Sequence, residues 1–167
     1  SALTNVEILK PWMDIVAQRR VPLAGIFSLA LLSQALFKRL ALHDDHALIV
    51  TYQSGGLRQS YFHEGEFRFS RMTPLSDNNP ETVAAVTLQE VAKTRQFLAS
   101  TRLLPRDASL AIVTVAHEHH RSAFEEAFPA TSTTVHRFID LFEISQLFKL
   151  RQPADAMFCE PVFLALL

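Results

Sequence analysis

Two histidine-rich clusters are the residues of this chain best suited to holding a metal. The first, His117–His120, reads HEHH. A helix presents two ligands to one ion when they stand at i and i+4, as in H-E-x-x-H. Here the histidine spacings are two, one and three, with no fourth ligand nearby, which fits a solvated helix start better than a metal site. The second, His43–His46, reads HDDH and contains the residue types that hold metals for hydrolysis. It falls where a helix gives way to a strand, a junction at which polar residues ordinarily make a turn. No serine stands in a G-x-S-x-G frame, and Gln53–Gly56 (QSGG) lacks it. Cys159 precedes Glu160–Pro161 in an apolar stretch and reads as a small buried hydrophobe. His136 has no Asp partner evident from sequence. No catalytic residue and no metal ligand is assigned.

The remaining candidates are binders. Ser54, Gly55 and Gly56 follow an apolar run that ends near Thr51, and their backbone N–H groups could face an anion. A plain hairpin needs the same glycines. Arg95 interrupts the apolar stripe Ala84, Leu88, Val91 and Leu98 of a long helix. Burying its guanidinium without a partner would be costly. Either its stem packs on the core while the head reaches water, or it forms an ion pair or an open docking point for a partner. Arg58, Arg68 and Arg71 could form a basic patch beside it.

The elements that must position these residues follow from periodicity and turn chemistry. Pro11 suits the first turn of a helix whose apolar side is Trp12, Ile15 and Val16, ending at Arg19–Arg20. The stretch VPLAGIF reads as a short buried strand, after which Ser28 can cap a helix carrying Leu29, Leu32, Leu36 and Phe37. Strands are expected at His46–Gln53, Leu57–His63 and Phe67–Met72, with Phe67, Phe69 and Arg71 on one face. A helix at Glu81–Thr101, a buried strand SLAIVTVA, a helix at His119–Phe128, a strand TTVHRF and one or two closing helices complete the order. Three antiparallel strands followed by alternating helices and strands predict an α/β mixed sheet with helices on both faces.

Composition sets the outer bounds. The chain has 167 residues, enough for one domain, and 49% are hydrophobic, 13 of them Phe. Sixteen basic against 17 acidic residues imply neither nucleic acid nor an anionic membrane as partner. The longest uncharged run, Val21–Phe37, is short and interrupted by polar residues, so no direct membrane insertion by this segment is expected. One cysteine excludes an intrachain disulfide and fits a reducing compartment. The abrupt start and apolar end suggest a piece of a longer protein. No pattern specifies an oligomeric state.

This order resembles a ribonuclease H-like domain and the second lobe of the actin-like ATPases. VPLAGIFSLALLSQALFKRL leading into HALIVTYQSGGLRQSYFHEGEF looks like the passage that carries the family's second phosphate loop. SLAIVTVAHEHHRSAFEEAF stands where the family has its adenosine-contacting strand, turn and helix, and EPVFLALL resembles the closing helix. GLRQSYFHEGEFRFSRMTPL and LQEVAKTRQFLASTRLL look closest to the actin-like platform proteins of type IV pilus assembly and type II secretion. The resemblance covers Val21 to Leu167 and implies residues 1–45 as a lead-in helix, strand and helix, with residues 46–167 as the lobe.

Two departures set what the resemblance implies. Thr51 stands at or near the position of the phosphate-loop Asp, and a neutral hydroxyl cannot hold a metal–water cluster. AHEHH replaces the paired glycines that let a base approach the backbone. Nuclease chemistry lacks its converging carboxylates, with Glu90 standing alone. The expectation is a degenerate, non-catalytic actin-like domain at the cytoplasmic face of the inner membrane. It would bind other proteins of a membrane-associated assembly and need no cofactor. The alternatives are an ATPase lobe binding ATP and magnesium with acidic residues supplied from elsewhere, and a metal-dependent hydrolase.

Overall fold

The computed structural model describes residues 6–129, 131, 134–150 and 157–166. Five strands form one mixed sheet in the order β3-β2-β1-β4-β5. They are β1 (His46–Gln53), β2 (Gly56–His63), β3 (Glu66–Thr73), β4 (Leu110–Ala116) and β5 (Thr134–Asp140). The first three pair antiparallel, and β4 lies parallel to both β1 and β5. β1 and β4 are covered on both faces, which is why HALIVTYQ and LAIVTVA read as near-continuous apolar runs rather than alternating ones. The expected α/β class and mixed sheet are present. Thr133 of the expected last strand and Leu167 of the closing stretch lie outside the described residues.

Turn chemistry fixes the meander. The β2–β3 turn has positive φ at both central residues, Glu64 (52°) and Gly65 (76°), as a two-residue hairpin loop favours. Across β2 and β3 the register shifts, so Tyr61 faces Phe69 while Phe62 faces Phe67. Arg68 is the extra residue. This bulge overturns the expectation that Phe67 and Phe69 share a face: a period of two cannot survive an inserted residue. Phe69 packs with the core on one side of the sheet and Phe67 with the core on the other.

Helices cover both sides. Against one face lie α3 (Pro80–Ser100) and α4 (Arg121–Ala127), closing Leu48, Val50, Tyr61, Leu110, Val91, Leu98 and Phe124 into one core. Against the other lie α2 (Leu29–Arg39), α5 (Leu141–Leu147) and α6 (Glu160–Leu164), around Leu36, Phe37, Ile49, Val113, Ile144 and Phe163. Asn79 caps α3 by accepting from the Thr82 N–H (2.9 Å), with Pro80 at the first helical position. Leu88, expected in the buried stripe, is half exposed.

The lead-in departs from expectation. Helix α1 (Val6–Gln18) begins five residues before Pro11, which therefore sits inside it rather than in its first turn. Val21–Phe27 is irregular and exposed, not a buried strand: it joins neither edge of the sheet, and apolar residues alone do not make a strand without a paired neighbour. Ser28 stands at the N-terminus of α2, but its carbonyl, not its hydroxyl, receives the helix N–H groups. No described helix is long and apolar enough to cross a membrane.

Glu90, read from sequence as solitary, is the ionic pin of this arrangement. From α3 it accepts hydrogen bonds from Arg71, from the Thr73 hydroxyl (3.0 Å) and from Lys93 (2.6 Å). The Lys93 hydrogen bond is the main cause holding its carboxyl below the usual range; burial opposes it, and Thr73 and Arg71 add to the lowering. Removing its charge strands Arg71, itself one-third exposed, so Glu90→Gln is expected to cost about 2 kcal/mol in urea unfolding at pH 7. That carboxylate's contribution is present at neutral pH and disappears as pH falls through its lowered value.

Candidate functional site

In open α/β sheets, ligands settle outside the carboxyl ends of the parallel strands. Here that crevice is bounded by the ends of β1, β4 and β5, and the chain itself fills part of it. At the tip of the β1–β2 hairpin, the Ser54 backbone N–H and hydroxyl both donate to Oε1 of Glu160, at 2.7 and 2.6 Å. The adjacent Cys159 N–H donates to the Tyr52 carbonyl (2.9 Å), and its thiol donates to the Val115 carbonyl (3.0 Å). Cys159, Val162 and Phe163 are fully buried, which moors this segment across the ends of β1 and β4. Burial pushes the Cys159 thiol well above its ordinary range, so it is a packed hydrophobe and not a nucleophile.

The other hairpin residues are engaged in structure. Thr51 is buried, and its hydroxyl accepts from the Gln53 amide (3.1 Å). Gly56 has φ of +127°, and a Cβ there would collide with the Thr73 carbonyl oxygen. At Gly55 an added Cβ would meet only the terminal methyl of Met72, at 2.7 Å. Gly56 is thus demanded by the close approach of β3, while Gly55 is not.

HEHH forms one wall of the crevice. His117 accepts from the His119 N–H (3.2 Å) and opens a short 3₁₀ turn, Glu118–His120. Glu118 pairs with Arg121 (2.9 Å), which also reaches Glu143 (2.7 Å) and covers the Phe138 ring (4.8 Å). His120 is fully buried, edge-on to Tyr52 at 5.2 Å, and burial lowers its pKa to about 4. The Tyr52 hydroxyl shares its proton between the Asp77 carbonyl and Asn78 Oδ1 (2.8 and 2.7 Å), tying the loop before α3 to the same corner.

HDDH disperses. Asp44 pairs with Arg137 (3.0 Å), the Asp45 carbonyl accepts from the Glu64 N–H (2.8 Å), and His46 contacts the Tyr61 hydroxyl (2.7 Å). Among the described residues no three His, Cys, Asp or Glu converge as a metal set. The arginines also separate. Arg58 crosses β2–β3 toward Gln53, Ser70 and Met72 on the α2 side of the sheet. Arg71 points to α3 and Glu90, and Arg68 is exposed at the bulge. Arg95 lies on the α3 face too but toward the opposite edge, donating to the Thr134 hydroxyl of β5 (3.0 Å) and the Ala108 carbonyl (3.2 Å). It ties α3 to β5, so the expected patch of four does not assemble.

Glu160 is the residue that sequence reasoning missed. It lies 106 positions from Ser54, and no local pattern links them. No family model, no curated protein and no solved structure matches this chain.

Two expectations follow for the corner. Gly56→Ala should cost about 2–3 kcal/mol in urea unfolding, whereas Gly55→Ala should stay within about 0.5 kcal/mol. His136, stacked on Phe128 at 4.6 Å, is lowered to about 4 by burial, like His120. Both stay neutral in the folded chain while their unfolded counterparts protonate near 6.5. Stability is then full above that value and falls as pH drops from 6.5 toward 4, by about 1.4 kcal/mol per unit for the fully buried His120. Urea midpoints at pH 7 and pH 5 should show the loss, and His120→Phe should remove much of it.

Proposed function

We propose that this chain is a ribonuclease H-like lobe of actin type that has lost nucleotide chemistry and serves as a protein-interaction platform. The assembly it would serve is a membrane-associated pilus or secretion machine, with the lobe at the cytoplasmic face of the inner membrane. The observation that carries the reading is the Glu160 carboxylate on Ser54. A phosphate held by this hairpin needs the donors of the turn, and here an internal anion already takes the Ser54 N–H and hydroxyl. Its negative charge would also repel an incoming phosphate.

Three further features support it. Thr51 offers a hydroxyl already engaged by Gln53 and no charge for a metal. The turn after β4 fills its corner with the fully buried His120 ring, where the family resemblance expects glycines. Of the 17 large apolar side chains exposed among the described residues, nine fall between Ile8 and Leu31, including Ile8 (68%) and Trp12 (71%). So concentrated an apolar surface suits contact with other proteins better than contact with water.

The test is calorimetric titration of ATP–magnesium into the full-length protein. No saturable binding is expected, and tight magnesium-dependent binding with turnover would overturn the reading in favour of an ATPase. A stoichiometric transition metal in the purified protein would point instead to the hydrolase.

A further inference from the structure

Helix α1 has no core beneath its apolar face. Of Glu7–Gln18 only Leu9 and Val16 are partly covered, and every other residue is exposed. Ile8, Trp12 and Ile15 stand at i, i+4 and i+7, so they share one face, while Glu7, Lys10 and Asp14 lie round the helix from it. The helix has 13 residues and carries Pro11 inside, which removes a hydrogen bond to the preceding turn. Helices this short are marginal in water unless an amphipathic face is packed against something. The Trp12 face therefore needs a cover if α1 is to persist.

The apolar surface continues past the helix. Leu23, Ile26 and Phe27, in the irregular stretch that follows, are each at least half exposed, and neither that stretch nor the Trp12 face contains a charge. The nine large apolar side chains exposed between Ile8 and Leu31 together offer on the order of 800 Å². A typical monomer leaves no more than about 600 Å² in its largest apolar patch. One partner in a standard two-protein interface contributes roughly 800 Å². The area is that of a stable contact.

The surrounding charges select the occupant. An anionic lipid surface favours lysines and arginines along the polar face of such a helix; here that face sets Glu7 and Asp14 against Lys10. A partner of different sequence is selected by complementary charge, and the Trp12 face carries none. Two copies of one neutral face meet with no like charges across the contact. Arg19 and Arg20, exposed just beyond α1, then set the direction. Arg19 stands seven residues past Trp12. A two-fold axis at Trp12 with the helices antiparallel keeps the two Arg19 residues roughly 20 Å apart, at about 1.5 Å of rise per residue, beyond the ~8–10 Å screening length. A parallel pair would set them side by side. We propose that this face binds a second copy of the chain, α1 packing antiparallel on the partner's α1 with Trp12 at the axis and the stretch Val21–Phe27 extending the contact. This contact rests on the platform reading only in taking the face as a protein-binding surface, and it assumes nothing about nucleotide.

The experiment is sedimentation equilibrium on the full chain from about 1 μM to about 200 μM, with tryptophan emission recorded over the same series. Trp12 is the chain's one tryptophan, so its emission reports this face alone. A monomer–dimer equilibrium is expected, with the emission moving to the blue as the dimer forms. Trp12→Lys should weaken the dimer at least about tenfold. Leu147→Lys, at another half-exposed leucine on α5, should leave it unchanged. Arg19→Cys chains should stay unlinked on oxidation, being too far apart for a disulfide. A chain monomeric throughout, a dimer with unshifted emission, indifference to Trp12→Lys, or a disulfide through Arg19→Cys would each overturn the proposal. A monomer whose emission shifts only on phosphatidylcholine–phosphatidylglycerol vesicles would overturn it in favour of a lipid surface. The unmodified chain decides the matter even where a variant fails to fold. Failure here leaves the ATP–magnesium titration to judge the platform reading separately.

Discussion

One carboxylate accepting two hydrogen bonds joins the last helix to the first hairpin. Glu160 can reach Ser54 only because Cys159, Val162 and Phe163 are sunk in the core shared by α2 and α5. Ordering those side chains draws on apolar burial, at roughly 25 cal/mol per Å², so the polar contact is held by a larger apolar one. The Cys159 N–H then completes the Tyr52 carbonyl at the end of β1. The strand ends that would otherwise open on solvent or on a ligand are closed by the chain's own backbone and side chains. An internal anion so moored is not easily exchanged for an external one.

Polar groups do different work on the two faces of the sheet. Under α3, Glu90 gathers Arg71, Thr73 and Lys93, which sets the helix against β3 by charge as well as by packing. Under α2 a ladder without a carboxylate runs instead: the Ser60 hydroxyl donates to Ser33 (3.1 Å) and meets Ser70 (3.3 Å), and Arg58 bridges Ser70 and Gln53. Buried polar groups are costly unless paired, so such ladders fix a register more sharply than leucines can. Alternation along Ser70–Thr73 lets one strand serve both sets, while the bulge at Arg68 sends Phe67 to the α2 side and Phe69 to the α3 side.

The sheet was legible because its signals are local. β1 begins and ends where its apolar run does, and Glu64–Gly65 and Asn79–Pro80 announce a hairpin and a helix start through backbone chemistry alone. What stayed hidden depends on neighbours far along the chain. The bulge leaves no mark in FRFSR, whose alternation reads as an unbroken strand. Glu90 reads as solitary because its partner Arg71 lies on another element. VPLAGIF has strand-like residues, yet a strand exists only when paired, and this stretch joins neither edge of the sheet. Pro11 misled for a different reason: proline suits a first turn, yet α1 starts at Val6 and carries it inside. Of the candidate site, the hairpin and the uncharged Thr51 could be read directly; the carboxylate that closes it could not.

The single thiol of the chain sits at the hinge of this closure. Because Cys159 is wholly enclosed and disinclined to ionise, alkylating reagents meet it only while the end of the chain is detached. Its labelling rate is therefore a clock for that detachment, running on the native molecule with no engineered probe. A cysteine introduced anywhere on the surface would react first and alone, leaving the clock undisturbed.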